Sequence, residues 1–513
     1  MNKFLLALLS GLLLAFSWPS SGIFPLIFIG FVPLFIIETE AENGKQIFCF
    51  SFFAFFLFNL ITTYWIYNAT IFGVVAAILV NSILMAATFW LFFKIKKLTS
   101  NRLGYFFFIV LWISMEYLHL NWDLSWPWLT LGNVFATYPF IIQWYEFTGF
   151  LGGSLWVILI NLLLFYFYKN KRSKKLFLCI LLIFIFPIVI SSIMYFNFET
   201  NDDNYLDVLI IQPNVDPYSD KFVTNYESQL EDFIVLAKKG LSKETDLLIG
   251  PETALVEQIW EDDNNSYEKT HSIALFKELQ KQYPNLNIIV GASTYRLFSP
   301  NEKKSSTARK IRDEVFYDIY NSAIYISNTG FVDIYHKTKL VPGVEKMPFP
   351  RLLDPLAKLA VNLGGISGSL GSINYINSFK VNHKIVSPLI CYESIYGEMA
   401  LGPTNLVAVI TNDGWWKKTA GFKQHLHYSR LRAIEQRKSV IRSANTGISA
   451  VINARGDIIK QSLWDEAVYL SEKVNTNNQV TFYSHFGDYI GRICSFISAI
   501  ILIVTFVNQR LQV

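Results

Sequence analysis

Between Phe4 and Phe196 the sequence is a succession of apolar runs with short polar breaks, and no other feature restricts the fold as much. In lipid, each backbone N–H and C=O must be satisfied within protein, so runs of this kind become helices. They cover residues 4–16, 23–37, 47–66, 71–93, 104–120, 149–168 and 176–196, and a last one covers 489–507. Most approach the ~20 residues that cross the hydrocarbon; the first two must sit deep or borrow flanking residues. Seven helices before residue 200 and an eighth at the C-terminal end are expected. Lys3, the first run, Ala15 and Ser17 have the pattern of a signal peptide. The second run follows at once after Trp18-Pro19, as in a helical hairpin, and favours a retained helix.

Basic residues in short loops orient such a chain. Lys94, Lys96, Lys97 and Arg102 fall between the fourth and fifth runs, and Lys169, Lys171, Arg172, Lys174 and Lys175 between the sixth and seventh. Both loops are expected in the cytoplasm. An odd number of crossings then places residues 201–486 outside, and the helix in 487–513 returns the C-terminus. Residues 121–129 hold three tryptophans on the outer side, as an aromatic belt or as the wall of a lipid path. Glu116, His119 and Glu146 near segment ends are expected to snorkel.

With 52% hydrophobic and only 16% charged residues, the chain reads as a membrane domain (1–200) with a water-facing part. Its +4 charge gathers at membrane edges, so no nucleic acid is expected as a partner.

From residue 201 the pattern changes. Short strands are legible at 207–212, 246–250, 287–292, 322–327, 331–336, 372–381, 384–390, 406–411 and 448–453, with helices near 223–239, 268–282 and 424–437. Such alternation argues for a layered α/β domain over 201–486. Residues 299–313 read as a surface loop.

The strand at 384–390 delivers a thiol, Cys391, to the turn at its end. Cys49, Cys179 and Cys494 lie in apolar runs, so Cys391 has no nearby disulfide partner. A free cysteine is more often a small buried hydrophobe than a nucleophile. Two other strand ends change that reading: 246–250 leads to Glu252, and 331–336 leads to Lys337. A thiol of pKa ~8.5 needs a base or a cation beside it. Glu252 can take its proton, while Lys337 and a backbone N–H of the Cys391 turn, that of Tyr392, can stabilise an oxyanion. Singly, Glu252 also reads as a helix-start carboxylate and Lys337 as a solvated strand edge. The basic residues from Arg430 to Lys438 read as an exposed helix face, or Arg432, Glu435 and Arg442 as braces of the site. His425 and His427 have the spacing of one strand face and no Cys or carboxylate joins them, so neither a metal nor any other cofactor is expected.

Glu, Lys and Cys in this order, each at a strand end, resemble the triad of the nitrilase superfamily. With the helices in front, the chain resembles its membrane branch, the apolipoprotein N-acyltransferase family. The likeness runs through Pro251-Glu252-Thr253, Tyr320-Asn321-Ser322, Lys337 with Leu340-Val341-Pro342, Cys391-Tyr392-Glu393, and Thr411 to Trp416. It implies an αββα sandwich facing the periplasm of a bacterial inner membrane. It also implies a triad of Glu252, Lys337 and Cys391, with Glu345 supporting the base and Tyr392 and Glu393 lining the site. The implied reaction moves an acyl chain from a phospholipid, typically phosphatidylethanolamine, to Cys391, and then to the amine of a diacylglyceryl-cysteine on an apolipoprotein. Two departures stand out: no Trp follows Gln212-Pro213-Asn214, only Tyr218 and Phe222, and residues 342–347 read Pro-Gly-Val-Glu-Lys-Met around Glu345. Two lipid substrates give a membrane anchor a purpose, by raising their effective concentration at the site. Flanking helices block the surfaces through which soluble nitrilases assemble, so a monomer is expected. The rival readings are a membrane-anchored carbon–nitrogen hydrolase and an inactive binding or transport protein.

Overall fold

The structure is a computed structural model that describes residues 2–19, 22–170, 173–199, 204–219, 221, 225–261, 267, 270–349, 369–373, 375 and 377–511. Lys171, Arg172 and Phe222 lie outside the described residues. The chain divides into two compact units: Met1–Tyr67, Ile71–Phe198 and Thr481–Val513 form one, and Asn68–Thr70 with Glu199–Val480 the other.

The first unit is helical: α1 (Lys3–Phe16), α2 (Val32–Glu40), α3 (Gly44–Thr63), α4 (Ile71–Leu98), α5 (Asn101–His119), α6 (Tyr145–Lys169) and α7 (Lys174–Phe196), then Tyr489–Leu511 at the end. Among the described residues, five helices are long and apolar enough to cross a membrane: Gly44–Asn68, Ile71–Leu98, Tyr145–Lys169, Lys174–Phe196 and Tyr489–Leu511. The second run is not one helix. Pro25 and Pro33 split it into a 3₁₀ turn, Phe24–Phe28, and the nine-residue α2. At 1.5 Å per residue α2 reaches about 14 Å, under half of the hydrocarbon. Asn161 of α6 satisfies the break, accepting from Phe31 N at 2.8 Å and donating to Ile27 O at 2.9 Å.

Several charges depart from their expected places. Lys94, Lys96 and Lys97 are not loop residues but end α4, and Arg102 begins α5; Lys96 stands beside Glu38, 2.6 Å from Oε2. Glu116 and His119 are buried rather than snorkelling: Glu116 Oε1 accepts from Trp112 Nε1 at 3.0 Å and from Leu131 N at 2.9 Å, and His119 Nδ1 accepts from Trp122 Nε1 at 2.7 Å. Donors within the protein thus take the place of water at one oxygen of the Glu116 carboxyl group. Trp128 is also buried, against Trp65 and Trp126.

The second unit is a two-sheet sandwich. Its strands are β1 (Tyr205–Gln212), β2 (Leu247–Ile249), β3 (Leu255–Glu261), β4 (Asn287–Leu297), β5 (Arg309–Arg312), β6 (Val315–Ile326), β7 (Val332–His336), β8 (Phe379–Val381), β9 (Lys384–Ile390), β10 (Leu406–Thr411), β11 (Ser439–Ala444), β12 (Ala450–Ile452), β13 (Ile458–Gln461) and β14 (Val468–Asn475). One sheet runs β14-β1-β2-β4-β6-β5, with β3 on β4 and β7 on β6; the other runs β13-β12-β11-β10-β9-β8. Alternate residues explain the layers. Val208 and Ile210 of β1 meet Ile390, Ala408 and Ile410 of the opposite sheet, while Leu209 and Ile211 face outward onto helices α8 (Tyr226–Gly240) and α9 (His271–Gln282). Strands covered on both faces read as unbroken apolar runs, and these do. Helix α10 (Ala420–Gln436) packs on β11, which completes an αββα order.

Strands β3, β5, β11, β13 and β14 were not expected. β11 reads Ser-Val-Ile-Arg-Ser-Ala and hides its arginine by ion pairing; β14 carries Ser-Glu-Lys in its middle and pairs with β1. The expected loop at 299–313 is corrected in its last part: Arg309–Arg312 is an edge strand antiparallel to β6, and Ser305 and Thr307 donate to Asp318.

Candidate active site

Strand direction gathers the site. β2 and β4 are parallel, β6 opposes β4 and β7 opposes β6, so β2 and β7 end on the same edge of the first sheet. Glu252 follows β2 and Lys337 follows β7. Cys391 follows β9, which is parallel to β10 in the second sheet. Carboxyl ends of parallel strands are the usual place for a site in α/β sheets.

Each turn has its own local cause. The Glu252 turn lies against Gly291 of β4, where a Cβ would stand 2.5 Å from Pro251 O and 2.6 Å from Glu252 Cα. Only glycine leaves that room. Thr253 and Cys391 both have left-handed backbones, φ 46° and 51°, a strain of order 1 kcal/mol or more each that the surroundings must hold.

Lys337 is buried between two carboxylates, with Nζ 3.1 Å from Glu252 Oε1 and 2.8 Å from Glu345 Oε1. Asn321 of β6 donates from Nδ2 to the same two oxygens, at 2.7 and 3.0 Å. Their other oxygens are also held, Glu252 Oε2 by Asn412 N at 3.1 Å and Glu345 Oε2 by Val341 N at 2.9 Å. Lys221, also buried, donates to Glu252 O at 3.1 Å and to Thr253 Oγ1 at 2.6 Å.

These contacts set the charges. Burial opposes a charged Glu252, yet Lys337, Asn321 and Lys221 outweigh it and hold the carboxyl below its ordinary range. Burial likewise opposes the Lys337 ammonium, but Glu252, Glu345 and Cys391 hold it well above its usual value. Burial, reinforced by Glu252, pushes the Cys391 thiol well up against the pull of Lys337. At rest the site is therefore a protonated thiol beside an ionised carboxylate and an ammonium.

Glu393 is buried and its carboxylate is fully engaged. Oε2 accepts from Ile390 N at 2.8 Å, and Oε1 from Tyr335 OH at 2.8 Å, Thr338 N at 2.6 Å and Thr338 Oγ1 at 3.0 Å. It ties the end of β7 to the Cys391 turn and presents no oxygen to a substrate. Tyr392 is buried next to the thiol, its ring edge-on to Tyr396 at 5.4 Å.

Behind the turn, Asp413 meets Arg442 Nη2 at 2.5 Å and His425 Nδ1 at 3.0 Å, and His425 Nε2 lies 3.1 Å from Cys391 O. His425 and His427 stand on α10, not on a strand, so two residues apart they point different ways. Arg432, Arg437 and Lys438 are buried, which removes the reading of an exposed basic face. Arg432 pairs with Glu435 at 2.7 Å and donates to Ile395 O at 2.5 Å, at the end of the Cys391 turn. Sequence reasoning assigned no part to Lys221, Asp413 or His425, and quoted Asn321 without one. The polar pair Asn412-Asp413 directly after β10 was the signal available for one of them.

A buried Glu–Lys–Cys constellation at the strand ends of an αββα sandwich defines an enzyme of the carbon–nitrogen hydrolase class. Its family model, carbon-nitrogen hydrolase, matches residues 190–477, and the model of the apolipoprotein N-acyltransferase N-terminal domain matches residues 10–163. The chain belongs to the apolipoprotein N-acyltransferase family. It is 27% identical to the apolipoprotein N-acyltransferase of Chlorobaculum tepidum over 99% of this chain and 97% of that one. With that of Rickettsia typhi the figures are 30% identity over 76% and 74%, and with that of Geobacter metallireducens 25% over 100% and 96%.

Proposed function

We propose that the chain is a phospholipid:apolipoprotein N-acyltransferase acting through a Cys391 thioester, with Glu252, Lys337 and Cys391 as the catalytic groups. The observation that carries this reading is Lys337 Nζ held between Glu252 Oε1 at 3.1 Å and Glu345 Oε1 at 2.8 Å, at strand ends that also deliver the buried thiol of Cys391. Cys391 Sγ attacks the ester carbonyl of a phospholipid, phosphatidylethanolamine being the expected donor, as Glu252 takes the thiol proton. Lys337 and the Tyr392 N–H stabilise the oxyanion. When the C–O bond breaks, Glu252 returns the proton to the leaving alkoxide and a lysophospholipid departs. The α-amine of a diacylglyceryl-cysteine then attacks the thioester, Glu252 accepts its proton, and as the C–S bond breaks Glu252 passes that proton to the leaving sulfur, restoring the thiol and the carboxylate. Glu345 keeps Lys337 charged through both steps.

Residues 1–200 and 487–513 form the membrane domain in this reading, with α1, the 24–40 pair and α5 completing eight crossings. The basic ends of α4 and α7 lie in the cytoplasm, and 201–486 face the periplasm of the inner membrane. The chain works as a monomer.

The test is intact mass after incubation with phosphatidylethanolamine alone, beside Cys391→Ser. A gain of one acyl group, released by neutral hydroxylamine and missing from the variant, supports the thioester. A diacylated lipopeptide must then discharge it onto its amine. Discharge to water alone, or no acyl group from any phospholipid, overturns the reading.

A further inference from the structure

We propose that Lys221 is a positioning residue for this reaction, clamping the backbone that carries Glu252 and completing the positive surroundings of its carboxylate. The inference rests on the triad reading above.

Lys221 lies in the polar connection between β1 and α8, where a lysine ordinarily reaches water. Here it is only 2% exposed. A buried ammonium is costly unless charge and hydrogen bonds compensate it. Its Nζ donates to two neighbours in sequence, the carbonyl of Glu252 at 3.1 Å and the hydroxyl of Thr253 at 2.6 Å. Thr253 is the residue with the left-handed backbone, φ 46°. The ammonium therefore grips the strained step of the turn that aims Glu252. The clamp is anchored behind, since Lys221 N donates to Asp216 O at 3.0 Å and Lys221 O accepts from Gln229 Nε2 of α8 at 3.4 Å.

Charge gives the second half of the role. Glu252 faces Lys337, Lys221 and Asn321, and Lys221 in turn faces Glu252 and Cys391. Lys337 is shared with Glu345, so its charge is already divided between two carboxylates. Lys221 makes up the difference on the Glu252 side while donating to the Glu252 carbonyl and the Thr253 hydroxyl. Burial lowers its own pKa to about 8, with Glu252 and Cys391 opposing the fall.

The experiment is single-turnover acylation of the full-length protein by phosphatidylethanolamine across pH, for wild type, Lys221→Gln, Lys221→Met and Thr253→Val, with melting temperature measured in parallel. Gln keeps donors for the two oxygens and loses the charge; Met loses both. Thr253→Val loses one contact and keeps the charge. Expected are a fall of roughly tenfold to a hundredfold in acylation rate for Lys221→Met, a smaller fall for Lys221→Gln, and an acid limb moved to higher pH in both. Thr253→Val should slow acylation with its acid limb in place. In the wild type the rate falls as pH rises through about 8, where Lys221 gives up its proton, and that step is missing from Lys221→Gln. Folded Lys221 variants with wild-type rate and pH profile overturn the inference. So does a lowered melting temperature with normal acylation per folded molecule, since that marks a brace of the fold alone. A wild type that forms no thioester overturns the triad reading instead, and this inference with it.

Discussion

Thr338 and Glu393 are joined twice, through the Thr338 N–H at 2.6 Å and its hydroxyl at 3.0 Å, and the pair spans the two sheets of the sandwich. Thr338 follows Lys337 and Glu393 stands two residues past Cys391, so this tie fixes cation and thiol relative to each other. In Glu393→Gln an amide nitrogen replaces one acceptor oxygen and leaves buried N–H groups facing a donor. A loss of about 1–3 kcal/mol per orphaned donor is expected. Melting temperature and thioester formation should fall together; if neither moves, the tie does not hold the site.

Gly291→Ala puts a methyl group into the backbone of the Glu252 turn, where no flexible side chain can yield. The turn must shift by a large part of an ångström. Acylation should fall by as much as ~100-fold, since small misplacements of a catalytic group are this costly. Stability should fall by only about 1–3 kcal/mol. Rate and melting curve, measured on one preparation, separate the two effects.

Asp413 resists acid through its partners. Burial works against its charge, but Arg442 and His425 outweigh it and hold the carboxyl below its ordinary range. A carboxyl with a lowered folded pKa contributes stability above the unfolded value of ~3.9, and that contribution is lost as pH falls through the lower folded pKa. Asp413→Asn should remove this part of the acid dependence. It should also cost about 3–5 kcal/mol near neutral pH by leaving Arg442 buried without its carboxylate. Denaturant melts at several pH values test both statements.

Asn321 gives one amide to two carboxylates. Asn321→Ala removes a group that helps lower the Glu252 pKa, so the acid limb of acylation should rise toward the ordinary glutamate value of ~4.3. At neutral pH the rate should fall roughly tenfold from lost positioning. A pH profile superimposable on wild type would falsify this role.

The triad was legible because each member directly follows or closely trails an apolar strand, and strand ends survive in sequence as a change of composition. Glu345 was readable only by likeness, for nothing in Pro-Gly-Val-Glu-Lys-Met marks a buried carboxylate. Lys221 was invisible: it sits among Asp, Ser and Asn, and only the folded chain buries it. Arg442 made β11 unreadable as a central strand, since its partner Asp413 lies 29 residues away. The short α2 was misjudged for another reason. Hydropathy counts residues and is blind to a proline pair that cuts a run in two.

Glu252 and Lys337 come from the first sheet and Cys391 from the second, while β14, near the end of the soluble region, pairs with β1 at its start. The nucleophile is thus a product of closure and cannot precede it. A nascent chain that has only reached β9 carries an ordinary thiol with neither base nor cation fixed around it. Of the three catalytic groups, the thiol is made last, after base and cation, and it joins them only when the second sheet packs on the first.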